Sequence, residues 1–276
     1  SQMSLAVILT FIFVIVLEIA IPLLLGYIMV KKFDLKWIIF LYGALFFILA
    51  QIIHIPLLLV LQQPFTEWVS AVTSDPAMVL AAGAVFLGLL AGILEEGIRY
   101  LVFSRFFPRK SLNRSREQGL LFGAGWGGIE CIFIAVLVVF SLINYMLITS
   151  GSLDAILTNT SLLDPSQLAA LDTIRNITPL DILPGLLERI MTLILQITFT
   201  LLVMFAVVRA RILFLLAATG WHTFIDAVAV YAAQIYGIWP TEAFLALNAM
   251  AGIGVLYWVW VKLGDRELLE PGTDSE

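Results

Sequence analysis

The stretch AMVLAAGAVFLGLLAGILEEGIRYLVF, residues 77–103, decides the fold class. A transmembrane helix needs about 20 mostly apolar residues, and this stretch carries no charged residue before Glu95. Six other stretches have the same character, namely residues 4–30, 37–61, 118–149, 181–208, 211–236 and 241–262. The sequence therefore predicts an all-α, polytopic membrane protein with seven transmembrane helices.

The composition excludes several other classes of protein. Of the 276 residues 61% are hydrophobic and 13% are charged, whereas a soluble domain is about 45–50% apolar and about 25% charged. The single cysteine, Cys131, excludes an internal disulfide and a cluster of thiolate ligands. A basic patch with interleaved aromatic residues is absent, so nucleic acid is not an expected partner. We expect a multi-pass protein of the cell membrane, with one helical domain over residues 1–264 and a polar, disordered cytoplasmic tail over residues 265–276; the oligomeric state stays open.

The distribution of Lys and Arg predicts the orientation of the helices. These residues concentrate on the cytoplasmic side of membrane proteins. If the N-terminus is outside, 12 of the 15 basic residues fall in cytoplasmic segments. They are Lys31, Lys32, Lys36, Arg105, Arg109, Lys110, Arg114, Arg116, Arg209, Arg211, Lys262 and Arg266. We therefore expect the N-terminus outside and the C-terminus in the cytoplasm.

Two of the outside loops carry helix signals. In residues 62–76, the segment around Pro64, Phe65 and Trp68 predicts a short interfacial helix. Asp75-Pro76 then predicts the start of the third span, because Asp is a favoured N-cap and Pro a favoured first helical residue. In the loop of residues 150–180, Asp164-Pro165 predicts another short helix.

Ionisable groups inside the spans mark the candidate functional site, because burying them in a bilayer is costly and by default indicates function. They are Glu18, His54, Glu95, Glu96, Arg99, Glu130, Glu188, Arg189, His222 and Asp226. At about 1.5 Å per helical residue, counted from the cytoplasmic end, three of them lie at similar depth. Glu95 lies at about 12 Å, Glu130 at about 18 Å and His222 at about 16 Å. His54, at about 26 Å, comes out nearer the outer leaflet.

The spacing within each helix indicates which groups act together. His222 and Asp226 are four residues apart, so they share a helix face and are placed to bind one ion. Arg99 follows Glu95 and Glu96 by four and three residues, which allows an ion pair that keeps one carboxylate charged. A metal held by His, Glu and Asp activates water, and a further carboxylate then acts as general base. Zinc is favoured by this ligand chemistry.

The order of these motifs resembles that of a known family. Glu95-Glu96-x-x-Arg99, Trp126-x-x-x-Glu130 and His222-x-x-x-Asp226 are similar to the EExxK, FxxxE and HxxxD motifs of the PrsW-type intramembrane metalloproteases. Trp126 stands where that family has Phe, and Arg99 stands where it has Lys. The broader superfamily includes the type II CAAX prenyl endopeptidases, whose second and third motifs are FxxxH and HxxxN.

Within that superfamily, the chain resembles most the YhfC group of intramembrane metalloproteases. That group shares an EExxR motif, a glycine-rich stretch before the second acid, His54 with Pro56, and the pair Glu188-Arg189. The resemblance runs from about residue 40 to 235 and covers most of the chain.

The resemblance implies roles for the site residues. The catalytic residues would be Glu95, Glu96 and Arg99, with Glu95 as the favoured general base. The metal ligands would be Glu130 and His222, with Asp226 as a ligand or orienting group and His54 as a further candidate. The implied activity is an intramembrane metallo-endopeptidase, dependent on zinc, acting on a membrane-anchored protein or a lipidated peptide.

Other interpretations of the same residues remain open. The polar groups also suit a proton- or cation-coupled secondary transporter, although no related halves are visible in the sequence. A non-catalytic scaffold with a protease-like fold would keep the motifs for packing alone. In that case the acids and Arg99 form a buried ion cluster, and His222-Asp226 is a packing pair. Glu188-Arg189 suits a structural pair, and Glu18 receives no role.

Overall fold

The computed structural model describes residues 2–153 and 163–264 of the chain. These residues form helices and no strand. In chain order the helices are α1 (Leu5–Phe33), α2 (Trp37–Val72), α3 (Pro76–Leu101), α4 (Arg116–Thr149), α5 (Pro165–Arg175), α6 (Pro179–Val208), α7 (Ile212–Ile235) and α8 (Ile238–Leu263). All but α5 are long and apolar enough to cross a membrane. The predicted seven spans are therefore confirmed.

The second and third spans are longer than predicted. Helix α2 continues to Val72 and contains both Pro56 and Pro64. The prediction of a separate short helix at Pro64 is therefore wrong. A proline within a membrane helix removes one donor, and neighbouring groups satisfy the freed carbonyl, so the helix need not end. Helix α3 continues through a π-helical turn, Val102–Phe106, into a last short turn, Phe107–Arg109.

Both predicted aspartate caps are present. The side chain of Asp75 accepts a hydrogen bond from the backbone N–H of Ala77 at 3.0 Å and begins α3. Asp164 begins α5 in the same way, with Pro165 as the first helical residue. Part of the loop that precedes α5 and the predicted tail, residues 265–276, lie outside the described residues.

The spans differ in how much of each is buried. Over its most apolar window α6 is 78% buried, whereas the other spans are between 17% and 28% buried. Large apolar side chains on the other helices are exposed, for example Leu59 of α2 at 75% and Tyr257 of α8 at 70%. Such a surface suits a lipid environment, whereas the apolar window of α6 lies in the interior. Three polar residues in the C-terminal half of α6, Gln196, Thr198 and Thr200, are buried.

The described chain divides into two compact units. The first comprises the residues up to Ile21 together with Cys131–Arg189, and the second comprises Pro22–Glu130 together with the residues from Ile190 onward. The second unit contains α3 and α7, which pack closely through two glycines of α3. A Cβ atom at Gly88 would lie 2.5 Å from the carbonyl oxygen of Thr223, and one at Gly92 would lie 2.7 Å from the Thr223 hydroxyl. This close approach brings the acids of α3 next to His222 on α7.

Candidate functional site

Arg99 lies at the base of a buried polar cluster in the second unit. Its side chain is fully buried and forms an ion pair of 2.8 Å with the Oε1 atom of Glu96. It also donates to the backbone oxygen of Gln196 at 2.8 Å, to the side-chain oxygen of Gln196, and to the Thr200 hydroxyl at 2.9 Å. The guanidinium lies 4.4 Å from the centre of the Trp126 ring. These contacts use the planar shape of arginine and hold the cation in one position.

Glu96 connects this cation to His222. Its Oε1 atom lies 3.0 Å from the Nδ1 atom of His222, and both side chains are buried. In the neutral histidine tautomer that donates from Nδ1 to a carboxylate, Nε2 is left with a lone pair. The arrangement orients the imidazole in the way that an outer carboxylate orients metal-binding histidines.

The Nε2 atom of His222 faces two further carboxylates. It lies 3.2 Å from the Oδ2 atom of Asp226 and 3.8 Å from the Oε2 atom of Glu95. A lone pair and two carboxylate oxygens are all acceptors, so they repel unless a proton or a cation lies between them. The structure thus brings the predicted third motif together with the first.

A divalent cation suits these donors in kind and in spacing. Zinc binds imidazole nitrogen and carboxylate oxygen, and ligands of a tetrahedral zinc ion lie about 3.3 Å from one another. As they stand, however, the described residues contain no group of three or more His, Cys, Asp or Glu side chains that could hold a metal ion. The cluster therefore offers the chemistry of a metal site around Nε2 without a complete set of ligands in place.

Glu95 and Glu130 are joined through one amide. The Nε2 atom of Gln196 donates to Glu130 at 2.9 Å and to Glu95 at 3.3 Å. The indole N–H of Trp126 also donates to Glu95, at 3.4 Å. The aromatic residue and the acid of the second motif therefore both approach Glu95, one directly and the other through Gln196.

His54 stands at the edge of the same cluster. The ring of His54 lies 3.3 Å from the side-chain oxygen of Gln51, one turn earlier on α2. It is also close enough to Asp226 and His222 to interact with both electrostatically. The difference in depth estimated from the sequence does not keep His54 away from Asp226, which lies one turn beyond His222 on α7.

Three contributors on α6 were not predicted. Gln196 and Thr200 hold Arg99, and the ring of Phe199 stacks on His222 with centres 5.0 Å apart and planes 6° apart. An uncharged amide within a span matches no motif, so the sequence pattern does not predict a role for Gln196. The available signal was spacing, because Gln196 and Thr200 are four residues apart and share one face of the apolar C-terminal half of α6.

Comparison with known proteins assigns the family. The family model described as YhfC intramembrane metalloprotease matches residues 15–245. The chain belongs to the YhfC intramembrane metalloprotease family. It is also 31% identical, over 237 residues, to a Bacillus subtilis (strain 168) protein named "Uncharacterized membrane protein YhfC". That match covers 83% of this chain and 86% of the relative. No solved structure matches.

The part of the chain that matches the YhfC family model contains every predicted site residue, from His54 to Asp226. Within the site the exposure is uneven. The side chain of Asp226 is 40% exposed, whereas that of Glu95 is 8% exposed. Asp226 is therefore the more accessible of the two carboxylates that face the Nε2 atom of His222.

Proposed function

We propose that this protein is an intramembrane metallo-endopeptidase that hydrolyses a peptide bond of a membrane-anchored protein or a lipidated peptide. The observation that carries the proposal is the meeting of Glu95 and Asp226 at the Nε2 atom of His222, deep within apolar helices. Membership in the YhfC family supports the metalloprotease class. A membrane-resident substrate is supported by the position of the cluster within five spans, α2, α3, α4, α6 and α7.

In this proposal Glu95 is the general base. It accepts a proton from a water molecule as the water oxygen attacks the peptide carbonyl carbon, and it returns that proton to the leaving amine nitrogen. Its neighbours suit this role, because the N–H donors of Gln196 and Trp126 both contact Oε1 and Oε2 faces His222. Glu96 and Arg99 are positioning residues, since Glu96 orients the imidazole and Arg99 holds Glu96.

The proposed metal ligands are His222, Asp226 and Glu130, with His54 as a further candidate. Zinc is the favoured ion because imidazole and carboxylate donors suit it. When bound, such an ion supplies Lewis-acid chemistry toward a carbonyl group or a water molecule. The chain's own residues orient the imidazole, gather the carboxylates and keep the cluster buried.

Elemental analysis of the purified protein tests the metal. We expect one zinc ion per chain in the wild type and its loss in His222→Ala. The control is Glu242→Gln, which changes a buried acid of α8 outside the cluster and should leave the zinc content unchanged. His54→Ala shows whether the second histidine is a ligand. Equal zinc content in the wild type and His222→Ala would contradict the proposed site.

Mapping of new protein N-termini in membranes tests the peptidase. Cells that express the wild type should contain cleavage products that are absent from cells with Glu95→Gln. Products in Glu242→Gln cells should match those of the wild type, because that substitution leaves the cluster intact. If wild-type and Glu95→Gln membranes give the same N-termini, Glu95 is not the base and the proposal fails.

A further inference from the structure

The first unit contains a second polar feature, a cavity of about 390 Å³ between α1, α4 and α6. Its lining comes from the N-terminal half of α1, the C-terminal half of α4 and the N-terminal half of α6, with Ile177 just before α6. In the expected topology these segments lie in the outer half of the membrane. The volume lies within the range of about 300–1,000 Å³ that is usual for small-molecule sites.

Glu18 is a buried acid in this cavity whose carboxylate lacks hydrogen-bond donors among the described residues. It is 2% exposed and lines the wall, yet neither carboxylate oxygen has a hydrogen-bond partner among the described residues. A buried carboxylate without such partners is costly, because desolvation is not offset by donors. Glu18 is thus a strong acceptor for a ligand that brings its own N–H donors.

The charges around Glu18 favour a cationic ligand. Of the described residues, three acids line the cavity (Glu18, Asp181 and Glu188), against one base, Arg189. Arg189 forms an ion pair of 3.3 Å with Glu188 and is close enough to Glu18 to interact with it electrostatically. Among the described residues that line the cavity, acidic side chains therefore outnumber basic ones by three to one.

The remaining walls distinguish between kinds of cation. Half of the lining residues are apolar side chains, including Phe11, Val14 and Ile134. A metal ion requires several ligand atoms, and the other two lining acids already have partners, Glu188 in Arg189 and Asp181 in Thr178. An organic ammonium requires only an acceptor for its N–H groups and an apolar surface for its body, and both are present.

We propose that this cavity binds a primary ammonium compound with an apolar body, whose N–H groups donate to Glu18. The ammonium comes either from a water-soluble amine or from the headgroup of an amino-phospholipid, since both present the same group. The site lies in the first unit, and the proposal does not rest on the peptidase activity.

Calorimetric titration of the full chain in neutral detergent with n-hexylammonium tests the site. We expect saturable binding of n-hexylammonium. The affinity for n-hexanol should be lower by about tenfold, because the alcohol cannot form a charge-assisted hydrogen bond to Glu18. Glu18→Gln should weaken n-hexylammonium by about tenfold for the same reason. Glu242→Gln, an acid outside the cavity, should leave the affinity unchanged.

A second variant separates binding from damage to the fold. Arg189→Gln removes the competing guanidinium and should strengthen n-hexylammonium binding, a gain that misfolding would not produce. Short-chain phosphatidylethanolamine that displaces the amine would assign the site to a lipid headgroup, and failure to displace it would assign the site to a soluble amine. Equal affinity in the wild type and Glu18→Gln, or equal affinity for the amine and the alcohol, would overturn the proposal. So would the absence of saturable binding.

Discussion

At the scale of single residues, the cluster depends on uncharged groups as much as on the motif residues. Gln196 accepts from Arg99 and donates to both Glu95 and Glu130. Without its amide, two carboxylates would approach one another with no shared donor, and Arg99 would lose an acceptor. Buried networks of this kind are stable only when each member is satisfied.

We predict that Gln196→Leu impairs catalysis and stability together. The loss of a shared buried donor should reduce the free energy of unfolding by about 1–3 kcal/mol. Misplacement of Glu95 should reduce the cleavage rate by about 10²-fold. The measurements are thermal unfolding in detergent and the cleavage rate of a substrate found by N-terminal mapping. Gln118→Leu, at the start of α4, is the control, and an unchanged cleavage rate in Gln196→Leu would show that the amide does not position Glu95.

At the scale of helices, glycines set the distances between spans. The glycine run on α4 packs closely against α2, because a Cβ atom at Gly125 would collide with the backbone oxygen of Phe40 on α2. Gly43 on α2 approaches the backbone of Phe122 equally closely. Small residues let membrane helices approach to backbone contact. Here Gly125 directly precedes Trp126, whose indole N–H donates to Glu95.

Gly125→Ala is therefore expected to destabilise the protein. Overpacking usually costs about 1–3 kcal/mol, and more when backbone must move. Gly254→Ala on α8 is the matched control, because a Cβ atom there meets nothing within 4 Å. Thermal unfolding of both variants in the same detergent is the measurement. Equal unfolding midpoints for the Gly125→Ala and Gly254→Ala variants would mean that α2 and α4 can move apart without loss of stability.

The short helix α5 is predicted to weaken in acid. Asp164 forms a capping box with Gln167. The hydroxyl of Ser166, followed by the backbone N–H of Gln167, stabilises the carboxylate and lowers the pKa of Asp164 below its usual value. A lowered pKa in the folded state means that the cap contributes fully at neutral pH and is lost as the pH falls through the folded pKa, below about 3.9.

Amide-exchange protection of Pro165–Arg175 measures this effect. Protection factors should fall in the wild type as the pH drops from about 5 to about 2. Asp164→Ala should show reduced protection at neutral pH and little further change in acid. Protection that falls in parallel in both proteins would assign the acid effect to other groups.

At the scale of the whole molecule, seven spans put an odd number of crossings between the two termini. The termini of the described helices therefore face opposite sides of the membrane. The predicted choice, with the N-terminus outside, depends on the cytoplasmic clustering of Lys and Arg. The orientation of the termini also determines which leaflet of the membrane is nearer to the His222 cluster and which is nearer to the Glu18 cavity.

Thiol labelling in intact cells tests this orientation. In a Cys131→Ala background, Ser74→Cys should react with a membrane-impermeant reagent, and Lys110→Cys should react only after the membrane is opened. Both positions are exposed and lie in the turns on either side of the third span. The reverse pattern of labelling would place the N-terminus in the cytoplasm.

Much of the architecture was predictable because its causes are local. Length and hydropathy predicted the seven spans, since each apolar stretch must satisfy its backbone as a helix in lipid. The prediction at Pro64 was wrong because a proline signal that ends a helix in water is tolerated in α2. Counting residues from the cytoplasmic end of each span predicted similar depths for Glu95 and His222, because the rise per residue of a helix is constant.

The sequence by itself determined the number of spans, the class of the protein and the ionisable groups that lipid burial makes costly. Tertiary structure alone decided that Glu96 contacts Nδ1 of His222 while Glu95 faces Nε2. It also decided that Gln196 joins the acids. Glu95 and Glu96 are adjacent on α3, so their side chains point in directions that differ by less than half a turn around the helix axis. Which partner each one contacts therefore depends on how α3 is rotated and how closely it packs. Those two quantities are set by contacts such as that of Gly88 with α7, which connect residues far apart in the chain.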